Sequence, residues 1–139
     1  LWDITEAEVD GVFAKSSQRS AWKRTPLPGV RTLGVSGGPH SGQADTFMVR
    51  FAPGMDFPRH RHQGSEALLV LEGSYTDSSG RVVEPGDLHE MSPGTEHGFH
   101  VAERGPCVGA VVQNGREFTG PFLKILAKVL DRRARRAKP

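Results

Sequence analysis

The sequence predicts an all-β domain: a small jelly-roll barrel with a short helix before it and an amphipathic helix after it. Three observations predict this class. Runs of strand length, alternating or wholly apolar, recur through the middle of the chain. Turn residues separate them, with 17 glycines and 10 prolines among 139 residues, as many short, tightly joined strands require. No internal repeat or low-complexity segment interrupts the pattern, and about eight such strands suit a jelly roll. One domain is expected over residues 1–139, its barrel core at about 30–113.

Taken in order, Thr5 and Glu8 have capping-box spacing, and Val9, Val12 and Phe13 follow at helical intervals. A helix from Glu6 to about Ala14 is expected, weakened by Gly11. Trp22 and the Pro26-Leu27-Pro28-Gly29 turn lead into a first strand at Val30–Ser36, and Gly37–Gln43 is loop. Ala44–Ala52 alternates, with Phe47, Val49 and Phe51 on one face and Thr46, Met48 and Arg50 on the other. After the stretch Gly54–Gly73, Ser74–Asp77 and Arg81–Val83 read as a hairpin around Ser78-Ser79-Gly80. A strand starting at Gly86, a Pro93-Gly94 turn, and strands at Glu96–Ala102 and Pro106–Gln113 complete the barrel, the last two separated by a turn at Arg104-Gly105. Gly120-Pro121 then opens a helix. Its Phe122, Ile125, Leu126, Val129 and Leu130 form one apolar stripe, suited to packing on the barrel or a second subunit. Residues 120–139 are thus helix and basic tail.

Composition narrows the setting. Cys107 is the single cysteine, so no disulfide forms within the chain, and a reducing, cytoplasmic compartment is expected. No apolar run has the length of a membrane span, and no signal peptide is visible. The chain begins at Leu1 rather than methionine, which leads us to expect a preceding segment. From Lys124 to Lys138 there are seven basic residues against one acid, so the formal charge of +2 hides a mildly acidic remainder. No aromatic residue is interleaved after Phe122 and no nucleic-acid motif is present. The tail therefore reads as a solvated end, and neither nucleic acid nor membrane is expected as a partner.

The chemistry is concentrated in GMDFPRHRHQGSEALLVLEG, Gly54–Gly73. In an extended strand, side chains two apart leave the same face. His60 and His62 therefore point one way, and Arg59 and Arg61 the other. Two converging imidazoles are ready ligands for zinc, iron, nickel or copper. Gln63-Gly64-Ser65 allow a turn, and Glu66 opens the buried run Ala67–Leu71. If that strand folds back beside the first, Glu66 offers an oxygen to the same ion. GDLHEMSPGTEH supplies a further donor, His97. His40, His89 and His100 read as ordinary surface or core residues, with His89 retaining a chance of lining the pocket. Cys107 reads as a small buried hydrophobe. Tyr75 and Arg50 are candidates for the cavity wall, and Phe57 and Phe99 for the core. The Ala67–Leu71 run is apolar on both faces and needs cover on both, so a homodimer is expected.

Residues and spacing together resemble the cupin superfamily. Its first motif, G-x5-H-x-H-x3-E-x6-G, is met by Gly54, His60, His62, Glu66 and Gly73. Its second, G-x5-P-x-G-x2-H-x3-N, is met by Gly86, Gly94 and His97, with Ser92 and Val101 departing from it. The resemblance implies a barrel that holds one divalent metal ion on His60, His62, Glu66 and His97. More narrowly, the PRHRH stretch, the LLVLEGS-like strand, the D-x-x-G hairpin and the PG-x-x-H turn look like the cupin domain of ChrR-type anti-sigma factors. That narrower resemblance implies a zinc-binding regulatory module that signals to an N-terminal zinc domain holding a sigma factor. No residues of this chain match that N-terminal domain, so a sigma factor is a partner only through a segment before Leu1. The competing expectation is a small iron- or manganese-dependent enzyme (a dioxygenase, isomerase or lyase) acting on a small polar molecule in the barrel.

Overall fold

The structure, a computed structural model, describes residues 1–114. The helix and basic tail expected at 120–139 lie outside the described residues. Helix α1 (Glu6–Ser16) starts where local chemistry dictates. The Thr5 hydroxyl accepts from the Glu8 N–H while the Glu8 carboxylate accepts from the Thr5 N–H, which satisfies free donors of the first turn. Gly11 does not interrupt the helix, which continues past Ala14 to Ser16.

Among the described residues ten strands follow: β1 (Lys23–Arg24), β2 (Val30–Gly34), β3 (Asp45–Phe51), β4 (Asp56–Arg61), β5 (Glu66–Glu72), β6 (Tyr75–Asp77), β7 (Val82–Val83), β8 (Leu88–Met91), β9 (Glu96–Val101) and β10 (Cys107–Gln113). They form two antiparallel sheets, β1-β2-β3-β10-β5-β8 and β4-β9-β6-β7. β1 escapes the sequence because Lys23 and Arg24 are exposed and only their pairing with β2 makes them a strand. The strand expected from Gly86 begins at Leu88, since Gly86 itself adopts φ +91° in the preceding turn.

The main core lies between the sheets. Val49, Phe51, Leu68, Val70 and Val111 of the larger sheet meet Tyr75, Val83, Phe99 and Val101 of the smaller one. Burying side chains of this size contributes about 1.5–3 kcal/mol each. Cys107 belongs to this core at 0% exposure, and burial pushes its thiol up to about 12, so it packs as a hydrophobe. Gly73 sits at φ +70°, and a Cβ there would run into the backbone of Pro106 and Cys107. That close approach explains a glycine at the end of β5.

A second core covers the outer face of the larger sheet. Leu33, Met48, Val108 and Ala110 lie under Trp2 and Trp22, with Leu69 and Leu71 of β5 packed at its margin. The Trp2 indole N–H donates to the Val111 carbonyl at 3.0 Å, and that of Trp22 to the Ser16 carbonyl at 2.8 Å, so each buried ring satisfies its polar end. The double-faced apolar run of β5 thus finds its second cover in the chain's own N-terminal segment. The sequence makes an approach of Glu66 conditional on β5 folding back beside β4, and the two strands belong to opposite sheets. β5 pairs with β10 and β8 instead, because a strand apolar on both faces belongs inside the covered sheet.

Candidate metal centre

Strand register assembles the site. β4 and β9 pair antiparallel, with a bulge between Phe57 and His60, and this sets His60 directly opposite His97. His62 lies just past the end of β4, yet its backbone is held: its N–H donates to the Thr95 carbonyl at 2.9 Å, and its carbonyl accepts the Gly94 N–H at 2.8 Å. Gly94 provides the φ of +83° that turns the chain there. Ring centroids stand 4.7 Å apart for His60 and His62, 4.6 Å for His60 and His97, and 4.9 Å for His62 and His97. One nitrogen from each ring lies within 4.8 Å of the other two.

Hydrogen bonding shows which nitrogens are free. The Nδ1 of His60 lies 3.0 Å from the Pro58 carbonyl. A carbonyl only accepts, so Nδ1 carries the proton and Nε2 the lone pair. The Nε2 of His62 and the Nδ1 of His97 are buried with no hydrogen-bond partner. Buried polar atoms without partners are rare and costly, and a cation between them answers the deficit. Burial holds the His60 imidazolium below its ordinary range; burial, and then the neighbouring His60, His62 and His89, push His97 down to about 4. At neutral pH both are uncharged, as metal ligands must be. The residues present therefore fit a divalent metal.

The structure brings three of the four expected donors into one group and sets Glu66 beside it. The Glu66 Oε2 lies 3.5 Å from the Nδ1 of His62, and Glu66 shares the cavity with the three imidazoles. The group of mutually close donors does not itself include Glu66. Phe57 stacks on Phe99 at 4.7 Å and meets the His60 ring edge-on at 4.9 Å, giving the site an apolar wall.

Of the cavity candidates, Tyr75 does line the cavity. Arg50 does not: it is exposed, on the alternate face of β3 from Val49 and Phe51. His40 and His100 are exposed and paired with Asp3 and Asp56 at 3.0 and 2.7 Å. His89, given a chance of lining the pocket, is not among the residues that line the cavity; with Asp77, to which the sequence assigns no site role, it forms a second close group of donors around His97. His89 is 8% exposed, its Nδ1 2.6 Å from the Tyr75 hydroxyl and its Nε2 3.8 Å from Asp77. Its parity with buried Met91 along β8 was the available signal. The cavity as a whole is about 1050 Å³, with Leu68, Met91 and Val111 among its apolar lining, large enough for a small molecule beside an ion.

A family model for the ChrR cupin-like domain matches residues 11–114. A candidate dimethylsulfoniopropionate lyase, DddL, from Cereibacter sphaeroides is 31% identical over 70 residues, which are 50% of this chain and 30% of that protein. Rhodobacter sphaeroides SigE in complex with the anti-sigma ChrR matches with 27% identity and a TM-score of 0.59, over 67% of this chain and 48% of that one. The dimethylsulfoniopropionate lyase DddQ from Ruegeria pomeroyi matches at 19% identity and a TM-score of 0.53, over 70% of this chain and 57% of its own, a likeness of fold. The chain spans less than half the length of the DddL protein and of the matched chain in the ChrR complex.

Proposed function

The chain belongs to the ChrR cupin-like domain family, and from that premise we propose that it is a metal-binding sensory or regulatory module. His60, His62, His97 and Glu66 would hold one divalent ion, zinc favoured over iron, manganese or nickel. The observation that carries the reading is the convergence of three imidazoles, two of whose buried nitrogens lack any partner. A bound ion supplies Lewis acidity toward an oxygen or nitrogen donor entering the cavity. The chain's own residues do the rest. The β4–β9 register sets His60 opposite His97, the Pro58 carbonyl orients His60, and the stacked Phe57 and Phe99 line that side with apolar rings. Glu66, with 16% of its side chain exposed, would complete the ligand set.

Within a longer protein, such a module would act on a sigma factor held by a preceding segment; the likeness to ChrR in its SigE complex supports that partner. We further propose a cytoplasmic setting, supported by the lone buried thiol of Cys107, and a homodimer through the half-buried margin of the outer core. Elemental analysis of protein expressed without added metal tests the central reading. At least one zinc per chain is expected; protein that is metal-free and takes up none on soaking removes the reading.

The DddL relative and the roomy cavity favour a second reading, a metal-dependent lyase, isomerase or dioxygenase. Consumption of dimethylsulfoniopropionate, or oxygen uptake with candidate substrates by iron-loaded protein, would decide for it.

A further inference from the structure

We propose a second cation station in this barrel, formed by Asp77, His89 and His97, for a divalent metal that accepts nitrogen and oxygen donors. It shares His97 with the triad of the proposed function, and so rests on that site's location, but not on whether the module senses or catalyses. One donor atom from each of the three residues lies within 4.8 Å of the others. They come from three strands, β6, β8 and β9.

Each donor is held in place. The Asp77 Oδ1 accepts from the Ser79 N–H at 2.9 Å, the Ser79 hydroxyl at 2.5 Å and the Arg81 N–H at 3.2 Å. The turn of the β6–β7 hairpin therefore fixes the carboxylate and leaves Oδ2 toward the barrel side. Oδ2 faces the Nε2 of His89 at 3.8 Å. That is too long for a hydrogen bond and a few tenths of an ångström beyond the roughly 3.3–3.6 Å between two donors on one tetrahedral ion with bonds of about 2.0–2.2 Å, a gap that a small side-chain shift closes. Their side chains are 9% and 10% exposed, so solvent does little to separate them.

The other nitrogen of His89 completes the pattern. Its Nδ1 lies 2.6 Å from the buried Tyr75 hydroxyl. When the tyrosine oxygen accepts from Nδ1–H, the lone pair of His89 is left on Nε2, facing Asp77. A metal-bound histidine is commonly oriented by such a partner on its second nitrogen. Two imidazoles and one carboxylate suit zinc, iron(II), cobalt(II) or nickel(II). His97 has two ring nitrogens and its ring meets that of His89 edge-on at 5.5 Å, so it can serve either triad.

The probe is Co²⁺, whose visible absorption reports coordination, with Zn²⁺ as competitor. The double variant His60→Gln/His62→Gln dismantles the first triad. Stripped with chelator and titrated, it is expected to bind one Co²⁺ per chain, displaceable by Zn²⁺. Adding Asp77→Asn or His89→Gln should abolish that binding, and adding Tyr75→Phe should weaken it by about 10- to 100-fold. A folded double variant that binds no Co²⁺, or whose binding survives both Asp77→Asn and His89→Gln, overturns the second station and leaves the first untouched. Should the double variant not fold, crystals of the unaltered protein soaked in Zn²⁺ give a second readout. Anomalous density among Asp77, His89 and His97 is expected; density confined to the His60–His62–His97 triad overturns the proposal.

Discussion

At the scale of single residues, the three imidazoles and Glu66 should not be equivalent. His60, His62 and His97 supply the mutually close nitrogens. Replacing His60 or His62 by alanine should empty that triad, and replacing His97 should remove all the metal that survives dialysis, read by elemental analysis. Glu66 stands at the second nitrogen of His62. Glu66→Gln should lose as much metal as the histidine variants if its oxygen binds the ion. A loss of only about 10- to 100-fold in affinity would instead make it an orienting partner. Arg61→Ala and His40→Ala should change neither metal nor stability, because both side chains are exposed and outside the group. Acid provides an independent test. An imidazole in the unfolded chain takes its proton near 6.5, whereas His97 in the fold resists until about 4. Between those values the unfolded state binds more protons, so stability falls as pH falls. The thermal midpoint of metal-free protein should therefore drop between pH 6.5 and 4. A midpoint flat across that window would contradict the buried, uncharged state assigned to His97.

At the scale of elements, the outer face of the larger sheet depends on a segment far from it in sequence. Trp2 is 6% exposed, fills the outer core and bonds to Val111. Trp2→Ala should cost about 3–5 kcal/mol in chemical denaturation, while metal binding in the other core persists. A loss below about 1 kcal/mol would mean that the N-terminal segment is not what holds this face. This dependence also marks what the sequence could and could not say. The alternation of Phe47, Val49 and Phe51 names β3 and sets those three on one face, though not which face is inner, and Thr5 with Glu8 names the start of α1. The histidine spacing and His97 were legible because strand parity and a turn suffice to aim them. The sheet to which β5 belongs was not legible, since a doubly apolar strand records that it is covered but not by what. Asp77 was hidden for a related reason: its carboxylate reads as a turn former, and only the packing of β6 against β9 brings it near His89 and His97.

At the scale of the whole molecule, two cores share one larger sheet, and the proposals load them differently. The outer core has an apolar margin, where Phe13, 44% exposed, and Leu1, 53% exposed, line one shallow cavity with the partly buried Leu69 and Leu71. If that margin meets a second copy, sedimentation at micromolar concentration should give a dimer; a monomer there removes the homodimer. The inner core carries the metal centre, where His60 and His97 belong to the β4–β9 pair and His62 is tied to the turn between β8 and β9. An ion held there binds the folded chain alone, so it must stabilise the whole barrel rather than one loop. At 100 times its dissociation constant the gain is about 2.7 kcal/mol, which for a domain of this size is a rise in melting temperature on the order of 10 °C. Zinc should produce that rise in calorimetry, chelator should reverse it, and His97→Ala should abolish it. A zinc response undiminished in the His97 variant would place the stabilising ion elsewhere on the molecule, because no metal position proposed for the barrel is complete without that ring.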